Sequence, residues 1–342
     1  MTQFINIHAL ISHSSSLLNR DDAGMQKTAI FGGSTRSRIS SQCLKRAIRT
    51  SEMYLKDTQE VSIRTNKFDE LLAMAVTELS DFDPKKIEQV LLNLGSKIKS
   101  EKSKESGQKE RFFDAVQPYS IGAIRESLLL VDAGLELKDL SKNVLLPTDD
   151  VALSGRMDAS CVARNVEAAM SVAHSFTTHT SDIEVDWFTA CDDLSEQGSG
   201  HIGATEFSSG VFYRYASINV DLLAKNTGKS LEEVQPLVDL IVRCFAQVTP
   251  SAKQKTFAAH NFAEFVMVTQ ADQPLSLANA FRTPVSNDGL VMQNSIAQLV
   301  SHYDILVEGF DLVSKAKAFD TTKTLNSSHI NAVSGIKSLL DE

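Results

Sequence analysis

A mixed α/β fold is the class that the sequence predicts, with a strand-containing core built from both ends of the chain and a helical insertion between them. Residues 4–11 begin with alternating apolar and polar side chains and are rich in β-branched residues, a pattern typical of a strand. From about 57 to 150, apolar residues recur mostly at helical spacing, and after Asp182 the spacing becomes that of strands. At roughly 150 residues per domain, 342 residues are enough for two packed units.

The first sixty residues contain two strand-like pieces and a helix. A polar stretch at 12–16 should end the first strand, a loop follows at 18–22, and an apolar piece at 25–33 ends in a glycine pair. Ser40 or Ser41 is a suitable N-cap, because a serine hydroxyl accepts a hydrogen bond from an N–H group of the first helical turn. Apolar or small residues then recur at helical spacing: Leu44, Ala47, Ile48, Ser51 and Leu55.

In the rest of the chain, segments with helical spacing of apolar residues alternate with segments that have the spacing of strands. Helical spacing is strongest at 68–79 and 87–94, and the Lys-, Ser- and Glu-rich segment 96–111 predicts a mobile loop. A helix is predicted at 159–175, a strand at 210–220 and a helix at 230–247. We expect a strand pair at 255–269 and helical pieces near the C-terminus.

The composition is that of a folded, water-soluble chain. Hydrophobic residues make up 42% and charged residues 23%, and no apolar run approaches the roughly 18 residues needed to span a bilayer, so we expect a cytoplasmic protein with no membrane partner. The cysteines are scattered singly and should be reduced thiols rather than metal ligands: Cys43, Cys161, Cys191 and Cys244. We expect neither a metal nor a cofactor.

Charge is distributed unevenly along the chain. The net charge of −9 disfavours nucleic acid as a partner, but the segment from Arg20 to Lys56 holds eight basic and three acidic residues, a local charge of +5. This asymmetry indicates a localised anion-binding surface on an acidic body, although a solvated basic face would give the same count.

The helix that begins near Ser40 concentrates these cations on one side. At about 100° per residue, its basic side chains fall within an arc of about 100° opposite the apolar stripe. The polar arc consists of Gln42, Lys45, Arg46 and Arg49. Free N–H groups at the helix N-terminus and the hydroxyls of Ser40 and Ser41 would add a phosphate site, with Arg36 and Arg38 just ahead of it. Together with Arg20 and Lys27, the pattern favours binding of a polynucleotide.

Two glycine motifs do not support nucleotide binding. Gly198, Gly200 and Gly203 form a literal G-x-G-x-x-G, but a strand-like aromatic stretch follows them where the dinucleotide motif needs a helix. They fit the flexible tip of a long β-hairpin better. The GKS sequence at 228–230 lacks the upstream glycine of a P-loop.

No catalytic pattern emerges from the remaining polar residues. No serine lies in a G-x-S-x-G elbow, and His174 and His179 have no third ligand in the pattern, so both are interpreted as structural. Asp21 and Asp22 could hold a cation for phosphodiester cleavage, but salt bridges or solvation are the simpler interpretation.

Eight sequence blocks closely resemble the CasC family, the repeated backbone subunits of the type I-E CRISPR surveillance complex, Cascade. The blocks are FINIH at 4–8, LNRDD at 18–22, AIFGG at 29–33, RISSQCLKRAIR at 38–49, ALSGRM at 152–157, DWFTACDDLSEQGSGHIG at 186–203, EFSSGVFYRYA at 206–216 and PLSLANAF at 274–281. Residues 57–150 and the tail after Thr283 resemble the family only in length and general character.

The resemblance implies a hand-shaped subunit. Its ferredoxin-like, RRM-like palm would comprise residues 1–56 and 221–342, its helical fingers 57–181, and a palm strand with the β-hairpin thumb 182–220. The hairpin itself would lie at about 191–207 and include Gly198, Gly200, His201 and Gly203. The fingers of the family can carry a lysine-rich helix that touches target DNA, but residues 132–142 offer only Lys138 and Lys142.

The resemblance also implies roles for particular residues. Guide RNA binding maps onto Ser40, Gln42, Lys45 and Arg49, with Arg20, Lys27 and Arg38 nearby, while Arg46 joins them through the helical arc. Met157 and Phe188 would be the apolar wedges that displace guide bases, since an aromatic side chain can replace a base-stacking partner at about 1–3 kcal/mol per base. Ordinary core packing is the alternative for these two residues.

The expected function is therefore that of a non-enzymatic RNA-binding backbone subunit. Its partners would be CRISPR RNA, the target DNA strand through the guide hybrid, further copies of itself, and the large, small, guide-5′-end and guide-3′-end subunits of Cascade. Two alternatives remain open from the residues: a metal-dependent ribonuclease that uses Asp21 or Asp22, and a generic single-strand binder.

Overall fold

The structure is a computed structural model that describes residues 3–58, 60–94, 97–102, 109–142, 146–158, 165–194 and 199–341. Its chain divides into two compact units. The first consists of Met1–Tyr54, Ser171–Val220 and Val238–Glu342, and the second of Leu55–Met170 and Asp221–Leu237. The predicted palm, fingers and thumb stay a prediction. The boundaries of the two compact units differ from the predicted domain boundaries, because residues 171–181 belong to the first unit and 221–237 to the second.

Strands form two sheets. The strands are β1 Phe4–Ser16, β2 Thr28–Phe31, β3 Ser34–Ile39, β4 Ile63–Lys67, β5 Ile98–Lys102, β6 Lys109–Tyr119, β7 Met170–Val172, β8 Ser175–Thr177, β9 Glu184–Cys191, β10 Ser199–Asn219, β11 Phe265–Ala271, β12 Ser314–Asp320 and β13 Ile330–Ala332. The large sheet has the order β13-β12-β11-β1-β10-β8-β3-β2, with β7 and β9 also paired to β10. The smaller sheet has the order β4-β6-β5.

Ten α-helices accompany these strands in the described part of the chain. They are α1 Ser41–Arg49, α2 Glu52–Asp57, α3 Phe68–Glu78, α4 Pro84–Leu94, α5 Ile121–Asp132, α6 Asp149–Ser154, α7 Val220–Thr227, α8 Leu231–Gln247, α9 Gln254–Phe257 and α10 Val291–Gly309. Strands and helices together confirm the predicted mixed α/β class. None of these helices combines the length and apolarity needed to cross a membrane.

The centre of the large sheet is β1, which pairs antiparallel with β10 on one side and with β11 on the other. Position 4 faces Asn219 and Ala271, and the pairing with β10 continues to Ser16 and Ser208. The prediction that polar residues 12–16 end the first strand was therefore wrong. Those side chains are accommodated because the hydroxyl of Ser16 donates to the carbonyl of Ser208 (3.3 Å) and the ring of His13 contacts Arg214.

Apolar burial holds each unit together separately. In the first unit, α10 packs Ile296 and Leu299 against the sheet residues Phe265 and Tyr213, all of them fully buried or nearly so. In the second unit, α3, α4 and α5 surround a core that includes Phe68, Leu91 and Leu128. Burial of apolar area at about 25 cal/mol per Å² is the main stabilising contribution in both.

The insertion is less helical than its sequence predicts. Residues 98–102 and 109–119, within and after the predicted mobile loop, form the strands β5 and β6, which pair with each other; β6 also pairs with β4. Residues 103–108 lie outside the described part. The predicted helix at 159–175 was also wrong: 159–164 are outside the described residues, and the strands Met170–Val172 and Ser175–Thr177 follow.

Two further expectations need correction. The strand pair at 255–269 is instead the short helix α9 and the single strand β11, because apolar residues at 265–268 alone are buried in the sheet. The helix predicted to begin near Ser40 and to include Leu55 is two helices, α1 and α2, and Leu55 is exposed rather than part of the apolar stripe. The helix predicted at 230–247 is confirmed as α8, whose start is stabilised by reciprocal hydrogen bonds between Ser230 and Glu233.

A buried polar network ties β1 to β10. The hydroxyl of Tyr213 accepts the backbone N–H of Leu277 (3.1 Å) and shares a hydrogen bond with Nδ1 of His8 (2.9 Å). Burial lowers the pKa of His8 to about 3, and burial together with the neighbouring Arg214 lowers the pKa of His13 to about 3. Both histidines are therefore neutral in the folded protein at ordinary pH.

These two pKa values predict that stability falls on mild acidification. A histidine with pKa about 3 when folded and 6.5 when unfolded binds more protons in the unfolded state, so stability present above pH 6.5 is lost as pH falls towards 3. Between pH 7.5 and 5.5, each of the two histidines should lower the free energy of unfolding by about 1.4 kcal/mol, which urea unfolding measures. His8→Gln should reduce the slope and His260→Gln, at an exposed position, should not; a pH-independent midpoint over this range would contradict the assignment.

Candidate nucleic-acid interface

Helix α1 begins at a serine cap, as the sequence predicts. Ser40 has extended backbone angles (φ −68°, ψ 149°), and its hydroxyl accepts the backbone N–H of Cys43 (3.2 Å). The backbone N–H of Ser40 in turn donates to Oδ1 of Asn19 (2.9 Å), which fixes the start of the helix to the loop at 18–22. A cap of this kind contributes about 1 kcal/mol to helix stability.

One side of α1 is locked into the first unit. Leu44 is buried together with Leu18, Ile39 and Phe212, and Ile48 is buried one turn further along the helix. Since residues four apart lie on the same face of a helix, this packing fixes the rotation of α1 about its axis. The polar arc is therefore held on the opposite side.

The polar arc has the predicted position but not uniform exposure. Gln42 and Arg46 are exposed, whereas Lys45 and Arg49 are half-buried and each takes part in an interaction within the protein. Long basic side chains commonly bury their methylene stems while the charged end reaches solvent. Arg46 also lies near Cys43. Burial raises the pKa of the Cys43 thiol, and the positive charge of Arg46 partly offsets this rise.

Lys27 and Arg38 lie beside the start of α1. The backbone N–H of Arg38 donates to the carbonyl of Lys27 (2.8 Å), which makes the two residues direct neighbours. Lys27 lowers the pKa of both Cys43 and His174, and Arg38 lowers that of His174, although burial is the largest influence on each of these two pKa values. The structure thus brings Lys27 and Arg38 to the start of the helix, and both Lys27 and Arg46 lie near Cys43.

The predicted phosphate site at the helix N-terminus is not supported. The backbone N–H of Ser41 donates to Nδ1 of His174 (2.9 Å), that of Cys43 to the hydroxyl of Ser40, and that of Leu44 to the carbonyl of Ser40 (3.1 Å). Protein groups therefore occupy N–H groups that the sequence suggested were free. An anion at this place would therefore be bound by side chains rather than by the helix end.

Arg36 does not belong to this surface, contrary to the expectation from its position in the sequence. It is fully buried, and its guanidinium donates to the carbonyls of Thr177 (2.8 Å) and Phe281 (2.9 Å). Its side chain packs near the ring of Phe31 in the covered part of β3, whereas Arg38, on the same face two residues further along, is only partly buried. One of the eight basic residues in the 20–56 segment is thus a structural cation.

The LNRDD loop presents Arg20 and uses Asp21 internally. Arg20 is exposed and bridges to Gln26 through the backbone. Oδ1 of Asp21 accepts the backbone N–H groups of Ala23 and Met25, both at 2.9 Å. This carboxylate therefore stabilises the turn that carries Arg20 and Lys27.

Strands β9 and β10 form a long antiparallel hairpin. Its paired residues run from Glu184 opposite Phe207 to Cys191 opposite Ser199, so the hairpin starts earlier than the predicted 191. Gly200 lies in β10, whereas Gly198 is outside the described residues. Gly203 also lies within β10, opposite Phe188, so these two glycines are part of the strand and not of the predicted flexible tip. A strand at this place is not the turn and helix that dinucleotide binding needs.

Both predicted wedge residues are exposed, so core packing does not explain them. Phe188, 45% exposed, pairs across the hairpin with Gly203. A Cβ on Gly203 would lie 2.5 Å from the Phe188 ring, which shows that the ring rests on the glycine, with His201 nearby at a ring distance of 6.5 Å. Met157, in the second unit, is 82% exposed, and its carbonyl accepts a hydrogen bond from Gln117 (3.2 Å).

Sequence reasoning missed Asn19 and the contact between His174 and α1. His179 is structural as predicted: it donates from Nδ1 to the carbonyl of Thr180 (2.8 Å) and accepts the backbone N–H of Val211 (3.3 Å). No local pattern could reveal that His174, 133 residues from Ser41, lies beside it. Lys138, from the acidic segment in the insertion, forms an ion pair with Glu136 (2.5 Å).

Chains of CRISPR surveillance complexes share this fold over almost their whole length. A chain described as "CRISPR RNA-guided surveillance complex, pre-nicking" is 29% identical, with TM-score 0.83 over 99% of this chain and 98% of that one. A second, described as "CRISPR RNA-guided surveillance complex", is 25% identical, with TM-score 0.66 over 99% and 97%. No curated protein matches the chain in a sequence search.

The fold and its cationic helix thus define a chain of the same class as subunits of CRISPR RNA-guided surveillance complexes. The model of the CT1975-like protein family matches residues 5–342. The chain belongs to this family.

Arg36 and Arg38 offer a matched test of this geometry, since both lie on β3 and take the same substitution. Arg36→Met should destabilise the protein by about 2–4 kcal/mol, because two buried carbonyls lose their donor. Arg38→Met, where a single contact to the carbonyl of Thr28 is exposed, should change stability by less than about 0.5 kcal/mol. Urea unfolding measures both, and equal losses would contradict the assignment of Arg36 as buried and Arg38 as only partly buried.

Proposed function

We propose that the chain is the CRISPR RNA-binding backbone subunit of a type I-E Cascade complex, in which several copies stack along one guide RNA. The observation that carries the proposal is that Lys27 and Arg38 lie beside the start of a helix whose polar arc carries Arg46 and whose opposite side is locked into the core. Cations arranged in this way bind sugar-phosphate without reading bases, so a single subunit could serve any guide sequence.

Two kinds of similarity support this assignment. Similarity to surveillance-complex chains over 99% of the length supports the RNA-binding role and the presence of other subunits as partners. Assignment to type I-E rests on the CasC sequence blocks. The proposed partners are CRISPR RNA, target DNA through the guide hybrid, other copies of the chain and the remaining Cascade subunits, in the cytoplasm.

The proposed roles follow the hand-shaped arrangement of palm, fingers and thumb. Residues of the cationic surface bind the guide, the two exposed apolar residues act as wedges, and the hairpin is the thumb. The guide-binding set is Arg20, Lys27, Arg38, Ser40, Gln42, Lys45, Arg46 and Arg49; the wedges are Met157 and Phe188; the thumb includes Gly198, Gly200, His201 and Gly203.

We further propose that the chain has no catalytic activity of its own. The ribonuclease alternative depends on Asp21 or Asp22 holding a cation. The two hydrogen bonds from Ala23 and Met25 to Asp21 support a structural role for that carboxylate. A comparison of RNA cleavage in Mg²⁺ by the wild type and Asp21→Ala would separate the two roles, since carboxylate-dependent cleavage would favour the ribonuclease.

Removing the clustered cations should weaken RNA binding in a salt-dependent way. For the triple variant Lys27→Met, Arg38→Met and Arg46→Met, we expect the slope of log K against log salt concentration to fall by about 2, because each lost single-strand phosphate contact removes about 0.7. Titration of a labelled mixed-sequence single-stranded RNA into the full chain measures this slope.

A matched control removes the same charge elsewhere in the first unit. Lys315, Lys323 and Lys337 are exposed, and Lys315 lies on β12, near the opposite edge of the large sheet from β3. Their triple substitution by Met should leave the slope within about 0.5 of wild type. Equal effects of the two triple variants would contradict the proposed surface.

The wedge assignment predicts periodic distortion of the bound guide. In particles assembled with RNA, base-specific chemical probing should show regularly spaced reactive bases that Met157→Ala and Phe188→Ala suppress, because each removes a side chain that replaces base stacking. Met74→Ala and Phe310→Ala, at exposed residues of the same types, are the controls. An unchanged reactivity pattern in the wedge variants would overturn the assignment.

A further inference from the structure

His174 is an exposed residue inside the cationic cluster for which the sequence and the family resemblance assign no role in binding. It directly precedes β8, whose Ser175 and Phe176 pair with Ile39 and Arg38 of β3. This pairing places His174 next to Ser40 at the start of α1. Its location is therefore set by sheet register rather than by a flexible loop.

The hydrogen bond from Ser41 fixes the tautomer of the ring. Because Nδ1 of His174 accepts the backbone N–H of Ser41 at 2.9 Å, that nitrogen carries no proton, and the proton of the neutral ring is on Nε2. Burial, Arg38 and Lys27 all lower the pKa of His174, which keeps the ring neutral. Within the described part of the chain, its Nε2 makes no hydrogen bond.

A neutral N–H donor close to two cations suits a phosphate group. Lys27 and Arg38 attract an anion by charge, and a phosphate offers several oxygens that can accept a hydrogen bond from the same direction. Protonation of Nδ1 would break the bond to Ser41, so His174 serves such an anion as a donor and not as a third cation.

We propose that His174 is a direct phosphate contact of the guide-binding surface, with Nε2–H donating to a phosphate oxygen held by Lys27 and Arg38, while Nδ1 positions the N-terminus of α1. This inference rests on the proposed function, which supplies the polynucleotide. It assigns to one side chain two separable tasks, one on each ring nitrogen.

Three substitutions separate the two tasks in the full chain. His174→Asn keeps an acceptor near the position of Nδ1 but lacks the distal N–H, His174→Gln keeps a distal N–H, and His174→Ala has neither. With a labelled mixed-sequence single-stranded RNA, His174→Asn should bind at least about fivefold more weakly than wild type. The salt slope should stay unchanged, because no charge is lost. Amide exchange at Ser41 should stay slow in this variant and accelerate in His174→Ala.

The outcomes distinguish this inference from the proposed function. Wild-type affinity in His174→Asn, or a slope reduced by about 0.7 as for a lost cation, would overturn the phosphate contact. If His174→Asn exposes the Ser41 amide, His174→Gln decides: recovery of affinity over His174→Ala supports the contact, and no recovery refutes it. If the triple variant of Lys27, Arg38 and Arg46 loses RNA binding while His174→Asn keeps it, only the role of His174 is refuted.

Discussion

The candidate interface depends on the packing of α1 against Leu18, Ile39 and Phe212. Leu44 completes this small cluster, and Ile48 extends the buried side by one turn. Because these contacts fix the rotation of the helix, the polar arc has only one direction in which to point. Asn19 and Ser40 fix the start of the helix in the same way, through hydrogen bonds.

Around this helix, the protein places its positive charges in two environments. Arg36 and Arg214 are buried and donate to main-chain carbonyls, which allows a guanidinium to stay inside without a neighbouring carboxylate. Burial lowers the pKa of both. Lys27 and Arg38 lie beside the start of α1 instead, and Arg46 lies on its polar arc. The excess of cations in this part of the sequence therefore has both a structural and a surface component.

Much of the fold could be predicted from local pattern, and the failures have physical causes. Helices α1 and α8 follow from their apolar spacing and serine caps, and the glycine motif was correctly assigned to a hairpin because a strand follows it. The strand character of 98–102 was missed because its polar sequence is stabilised by pairing with β6 rather than by its own apolar residues. Likewise, β1 extends through Ser16 because long-range partners satisfy its polar end.

The candidate site was predictable where it depends on one helix and not where it depends on distant segments. Spacing alone placed Gln42 and Arg46 on the polar arc, and both are exposed. It could not show that Arg36 is buried, since Arg36 and Arg38 share one face of β3 and only the distant residues Thr177 and Phe281 cover Arg36. The contact from His174 to Ser41 depends on the pairing of β8 with β3, which no local pattern encodes.

The most direct test of the central claim is a structure of the particle assembled with its RNA, determined by electron cryomicroscopy. The account predicts that each copy holds the sugar-phosphate chain against the polar arc of α1, with phosphates within hydrogen-bond distance of Lys45 and Arg49 and the bases turned away. RNA that runs over another surface of the chain, with both side chains directed only at protein groups, would contradict it.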